Sequence, residues 1–264
     1  MKELQRFRNP VKLLLCVVFF AVLIWGLTLQ RMPDKTTIWN YSYNAGIALV
    51  YAMGAVCGFY YVTRYNLKPN LKKALLYFSI GQLSWATATV IWCYYNLVMR
   101  IDLPYPSVPD IFYILFIVFM SVGLVYLLKY FNVGITHTHT LETMGILLFT
   151  YITVFLVIDP PDLSLHLPAL TMTFNFLYPL GDGFLFAISL ASVRMGEDRM
   201  SPSARYLILA LLLQAVGDFF FGYFTVTGTY WNGSLPDIIY VMSGFLISTS
   251  IISLATRSQF TPSK

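Results

Sequence analysis

Charge is scarce in this 264-residue chain, where Asp, Glu, Lys and Arg together make up 11%. Soluble domains carry about 25% charged residues, so this chain has too little charge to solvate a globule of its size. Cysteine is nearly absent, at three residues, and aromatics reach 17%. A disulfide scaffold, a collagen-like chain and a disordered chain are therefore excluded. The net charge of +5 is spread too thinly for nucleic-acid binding and suits a membrane surface better. No Walker loop, HExxH helix, nucleophile elbow or glycine-rich dinucleotide turn occurs. Accordingly, no catalytic residue, metal centre or cofactor is assigned.

What the chain has instead is hydrophobicity: 58% hydrophobic residues and a mean hydropathy of +0.67. A bilayer core about 30 Å thick needs roughly 20 apolar residues in helical form, because backbone groups in lipid must pair within the segment. Eight stretches meet that need, near 11–29, 43–63, 74–98, 108–128, 141–158, 169–193, 204–226 and 235–255. None shows strand alternation, so an all-α integral membrane protein with eight transmembrane helices is predicted rather than a barrel. Lys2, Arg6 and Arg8 before the first stretch resemble a signal peptide. The apolar run is too long for that and has no small-residue cleavage site before Arg31, so it reads as a retained first helix.

An even number of crossings puts both termini on one side. That side carries Lys2, Arg6, Arg8, Lys12, Arg64, Lys68, Lys72, Lys73, Lys129, Arg194, Arg199, Arg205, Arg257 and Lys264, whereas the other carries only Arg31, Lys35 and Arg100. The positive-inside rule makes the richer side cytoplasmic. Multi-pass insertion in a cell (inner or cytoplasmic) membrane is the expected localisation. Membrane lipids are the expected partners, and Arg64, Lys68, Lys72 and Lys73 form a basic patch suited to anionic headgroups.

The chain also matches itself. Ser107-Val108-Pro109-Asp110-Ile111-Phe112-Tyr113 precedes or opens the fourth stretch, and Ser234-Leu235-Pro236-Asp237-Ile238-Ile239-Tyr240 the eighth. Lys73 and Arg205 each stand nine residues before a glutamine, Gln82 and Gln214. Tyr43-Asn44 and Phe174-Asn175 open the second and sixth stretches. Two tandem four-helix repeats, 1–132 and 133–264, are therefore predicted in parallel orientation, as in parallel-repeat transporters. Pro109 and Pro236 fit a first helical turn, Ser107 can cap it, and Asp110 and Asp237 meet the positive end of the helix dipole. These are either helix-start signals or, with Tyr113 and Tyr240, the wall of an outward-facing vestibule.

Carboxyls within spans are the sharpest signal, because an intramembrane charge is expensive. Asp182 lies roughly thirteen residues from the outer end of its stretch and Asp218 about eight from the end of its own, or roughly 20 and 12 Å deep. With no Lys or Arg at that depth, they are expected to be uncharged or hydrogen-bonded to Gln214, Gln82, Asn175 or tyrosine hydroxyls. Gly181, Gly183 and Gly217 would permit close helix contact, and Pro179 would kink its helix and free a carbonyl near Asp182. The cluster reads as a neutral interhelical network, a ligand pocket, a proton or cation site, or a pH-sensitive switch. Trp85, Trp92 and Tyr95 share one helix face, as a packing seam or an aromatic ligand wall. His137 and His139 read as a solvated loop, since two histidines rarely make a selective metal site. His166 with Asp159 and Asp162 offers at most a weak outer cation site. Cys16, Cys57 and Cys93 read as buried free thiols.

The Pro106-Ser107-Val108-Pro109-Asp110-Ile111-Phe112-Tyr113, Tyr178-Pro179-Leu180-Gly181-Asp182 and Leu235-Pro236-Asp237-Ile238-Ile239-Tyr240 segments resemble a known module. It is the multi-helix sensory membrane module found N-terminal to prokaryotic diguanylate cyclase (GGDEF), phosphodiesterase (EAL) and histidine-kinase proteins. The resemblance covers nearly the whole chain and implies a non-enzymatic sensor signalling to a cytoplasmic protein. No catalytic output domain follows Arg257, so a free-standing relative or a missing output portion is expected. Small-ligand candidates are Asp182, Asp218, Gln214, Gln82, Asn175, Tyr178, Trp85, Asp110, Asp237, Tyr113 and Tyr240. The alternative is a small proton- or cation-coupled transporter or channel.

Overall fold

A computed structural model describes residues 2–134, 137–157, 168–196 and 199–257. Among them are eight α-helices: α1 (Lys2–Arg31), α2 (Ile38–Arg64), α3 (Pro69–Cys93), α4 (Val108–Tyr130), α5 (His137–Val157), α6 (Ala169–Met195), α7 (Pro202–Val226) and α8 (Leu235–Arg257). A π-helical turn, Tyr94–Met99, extends α3 and ends at Arg100, whose φ of 56° is left-handed. Local chemistry sets the helix boundaries. Pro69, Pro109 and Pro202 occupy first turns, where a missing N–H costs nothing. The Ser201 hydroxyl accepts from the Ala204 N–H at 3.3 Å. Arg64, Lys129 and Arg194 close α2, α4 and α6 against the negative dipole end.

Seven helices are long and apolar enough to cross a membrane, while α5 offers a shorter apolar stretch, Thr140–Val154, among the described residues. The chain is thus an all-helical multi-pass membrane protein. Its apolar side chains divide accordingly. Leu13, Val17, Phe20, Val56, Val118 and Leu148 face outward, as lipid requires. Tyr43, Tyr51, Tyr61, Phe78, Phe116 and Met120 are fully buried at the centre.

The helices form a closed ring in which α2 packs on α3, α6 on α7, α7 on α8 and α8 back on α2. α4 lies on α3 and α6, α1 on α2 and α8, and α5 on α6. Small residues let these helices approach: a Cβ at Gly54 would overlap the Gln82 amide and Ser248 hydroxyl, and one at Gly58 the Ser79 hydroxyl. Arg64, Lys68, Lys72, Lys73, Lys129, Arg194, Arg199 and Arg205 gather at one end of the bundle, Arg31, Lys35 and Arg100 at the other. Contacts across both ends agree with this placement. Lys12 Nζ donates to Ser253 Oγ at 2.6 Å at the basic end, and Gln30 Nε2 to the Gly233 carbonyl at 2.6 Å opposite.

Several expectations change. His137 opens α5 and is exposed rather than standing in a loop, because the helix begins four residues earlier than hydropathy marks. The His139 side chain, and His166, Asp159 and Asp162, lie outside the described residues. α6 continues through Pro179. The carbonyl left without a helical donor belongs to Asn175, four residues back, and so lies about two turns from Asp182. Of the three free thiols, Cys93 is buried while Cys16 and Cys57 are half-buried.

Candidate functional site

At the end where α2, α4, α6 and α8 begin, the helices enclose a cavity of about 740 Å³. α3 contributes Trp85, Thr89 and Trp92 to its wall, α4 Asp110 and Tyr113, and α6 Asn175, Tyr178 and Asp182. Asp218 and Phe221 come from α7, Asp237 and Tyr240 from α8, and Phe149 and Thr153 from α5. The exposed Tyr105 and Val226 stand at its rim. On the side of the basic end, Tyr51, Phe116, Gln214 and Ile247 lie behind the wall and are all buried.

The two Ser-x-Pro-Asp turns build the rim in related ways. Asp110 Oδ2 accepts from the Ser107 N–H at 2.6 Å and from its hydroxyl at 3.0 Å, reaching back over the turn as a capping box does. Its other oxygen, Oδ1, accepts from the Tyr178 hydroxyl of α6 at 2.7 Å. Asp237 Oδ2 accepts from the Gly233 N–H at 2.6 Å, and both its oxygens lie 3.2 Å from the Tyr230 hydroxyl. Burial and the neighbouring Asp237 carboxyl push the Tyr230 phenol well above its ordinary value, so it remains a hydrogen-bond donor. Asp110 and Asp237 are both buried; each caps a helix and lines the cavity at once, so the two readings of these turns coincide.

A second pair of polar contacts ties the halves together. Asn44 Nδ2 donates to Asn232 Oδ1 at 2.7 Å, while the Tyr105 hydroxyl donates to Asn175 Oδ1 at 2.7 Å. Asn44 and Asn175 are each the seventh residue of their helices, α2 and α6, and Asn232 and Tyr105 each stand two residues before a motif serine. Asn232 Oδ1 also accepts from Trp92 Nε1 at 3.0 Å, and Asn232 Nδ2 donates to Asn96 Oδ1 at 3.3 Å.

Deeper in, Asp182 and Asp218 are within electrostatic reach of each other. Asp218 accepts from Gln214 Nε2 at a long 3.5 Å and is within electrostatic reach of the Tyr240 hydroxyl. Gln214 Oε1 accepts from the Tyr51 hydroxyl at 2.7 Å. Asp182 Oδ1 is buried with no hydrogen-bond partner, as is the indole N–H of Trp85. The Trp85 ring stacks on Tyr51 at 5.3 Å and meets Tyr113, Tyr240 and Phe116 edgewise at 4.7 to 4.9 Å. No described group of three His, Cys, Asp or Glu residues has metal-site geometry. No described protein family, curated protein or solved structure matches this chain.

Nine of the eleven candidate positions line this one cavity: Asp182, Asp218, Asn175, Tyr178, Trp85, Asp110, Asp237, Tyr113 and Tyr240. Gln214 lies just behind the wall. Gln82 does not join it: its Nε2 donates to Ser248 Oγ at 2.9 Å and it serves the α3–α8 packing. Asn175 is engaged with Tyr105, so neither it nor Gln82 partners Asp182. Trp85 and Trp92 face the cavity, but Tyr95 is not among the described wall residues, because the π-helical turn breaks the seven-and-three spacing of an α-helical face. Sequence reasoning missed Tyr51, Asn232 and Tyr230. For Asn232 there was a signal, its fixed place before the second Ser-x-Pro-Asp; Tyr51 and Tyr230 look like any membrane tyrosine.

Proposed function

We propose that the chain crosses a cell membrane eight times, α5 included, as two parallel four-helix repeats with both termini cytoplasmic. We further propose that it is a non-enzymatic sensor whose cavity takes a small ligand from the outer face. The orientation follows from the bundle's basic end, by the positive-inside rule. Repetition is supported by the packing. Exchanging α1–α4 for α5–α8 turns α2 on α8 into α6 on α4, and α2 on α3 into α6 on α7. It likewise turns the Asn44–Asn232 bond into the Asn175–Tyr105 bond. The contact of α1 with α8 is the exception.

The observation that carries the sensing reading is a ligand-sized cavity lined by the chain's intramembrane carboxyls. A volume of about 740 Å³ is within the range of about 300–1,000 Å³ that holds small molecules. The buried side chains beneath the cavity, Tyr51, Phe116 and Gln214 among them, give a bound molecule a surface to bias. A ligand favouring one arrangement of α7 and α8 would shift the population of that arrangement and present it to a cytoplasmic signalling protein. The resemblance to sensory modules points the same way.

The rival is coupled transport, favoured by the Asp182–Asp218 pair within the membrane. Reconstitution of the full chain in liposomes separates the two. The sensor reading expects imposed proton and sodium gradients to decay no faster than in protein-free liposomes. Protein-dependent collapse of either gradient overturns it in favour of transport.

A further inference from the structure

The described wall of the cavity carries four carboxyl groups, Asp110, Asp182, Asp218 and Asp237, and no lysine, arginine or histidine. Two of these are already engaged as helix caps. The other two, on α6 and α7, stand within electrostatic reach of each other, and Asp182 keeps one oxygen buried without any partner. A buried polar group left in that state costs free energy that a donor or a cation would recover. The rest of the wall is aromatic. Trp85 is packed among other rings, whereas Trp92 and Phe221 are half-buried in the same wall with ring centroids 6.0 Å apart. Aromatic faces attract cations that are poorly hydrated, with tryptophan the strongest.

Together these features select among ligands. An anion would meet carboxyls with no compensating cation. A divalent metal ion needs several converging ligands, and no described trio of His, Cys, Asp or Glu provides them. A small hydrated cation would leave most of an apolar space of this size unfilled. We infer that the cavity binds a monovalent organic cation, a quaternary ammonium or protonated amine with apolar substituents, its charge between Asp182 and Asp218 and its apolar part against the half-buried Trp92 and Phe221 rings. This deepens the sensor reading and rests on its claim that the cavity takes a ligand.

The test uses the full chain in nanodiscs and three probes of similar shape. These are benzyltrimethylammonium, its neutral carbon analogue neopentylbenzene, and the anion phenylmethanesulfonate. Binding is read by tryptophan fluorescence and by the shift in melting temperature. The cation is expected to bind saturably, and the neutral and anionic probes at least about tenfold more weakly. Asp182→Asn and Asp218→Asn, both near-isosteric, are each expected to weaken the cation at least about tenfold, since removing one partner of a buried charge pair has a large effect. Asp34→Asn, in the loop between α1 and α2, should leave binding unchanged and serves as the control.

Equal binding of cation and neutral probe, or equal cation affinity in both aspartate variants and the unaltered chain, overturns the assignment while leaving a ligand cavity in place. Absence of saturable binding by benzyltrimethylammonium, tetraethylammonium and tetraphenylphosphonium alike also overturns it. The cavity itself is tested apart. In a chain with Cys16, Cys57 and Cys93 replaced by serine, Thr153→Cys, at a half-buried wall position, should react with a charged, membrane-impermeant thiol reagent. Protection of that thiol would overturn the sensor reading as well.

Discussion

The Tyr178 hydroxyl donates to Asp110 Oδ1 over 2.7 Å, joining the middle of α6 to the first turn of α4. These helices belong to different halves of the chain, which the Asn44–Asn232 and Tyr105–Asn175 bonds also join at this end. Tyr178→Phe removes the donor and leaves the Asp110 turn held by Ser107 alone. Polar bonds between membrane helices contribute modestly, so a loss of about 1 kcal/mol is expected, seen as a lower melting temperature in nanodiscs. An unaltered melting curve would mean that α4 and α6 are held by apolar packing only.

Gly217 places α7 directly against Tyr240: a Cβ there would sit 2.7 Å from Cε1 of that ring. The ring cannot yield freely, because Trp85 lies 4.8 Å away on its other contact. Gly217→Ala should therefore destabilise the protein by about 1–3 kcal/mol, partly offset by the better helix propensity of alanine, about 1 kcal/mol. It should also change tryptophan emission by displacing the ring beside Trp85. If stability rises and emission holds, α7 and α8 are less tightly apposed than described.

Alkaline pH offers a third check. The Tyr230 phenol lies outside the spans, and burial with the adjacent Asp237 raises it well above its ordinary value. A group raised in the folded state stabilises fully below its unfolded value, about 10 for tyrosine, and loses that contribution as pH climbs through the folded value. The stability difference between the native chain and Tyr230→Phe should stay flat up to about pH 10 and then shift against the native chain. A difference that instead changes between neutral pH and that point would show that the phenol is not shielded.

Hydropathy located the helices closely: α4, expected near 108–128, runs Val108–Tyr130, and α7, expected near 204–226, runs Pro202–Val226. Lipid imposes this legibility, because each span must satisfy its own backbone and so announces itself locally. Some starts lay earlier than expected, since α1, α2, α3 and α5 begin at Lys2, Ile38, Pro69 and His137 rather than near 11, 43, 74 and 141, and among the described residues α5 alone carries only a short apolar stretch. The candidate site was legible to the extent that intramembrane carboxyls and repeated turns mark themselves. Its connectivity was not. Gln82 and Gln214 occupy matching places in the chain, yet Gln82 packs into α8 while Gln214 receives the Tyr51 hydroxyl behind the cavity wall.

Composition and order along the chain were enough to establish a helical membrane protein with acidic groups set among apolar ones and turns that occur twice. Which of those groups share a space was settled by packing, since helix rotation and neighbour choice depend on side chains that are distant in sequence. Tyr51 shows the difference: counted from the Asn44–Asn175 match, it stands where Asp182 stands in the other half. One of these two positions lies behind the wall of the cavity and the other leaves an oxygen without a partner. No local pattern distinguishes them, because the distinction lies in what the neighbouring helices bring to each.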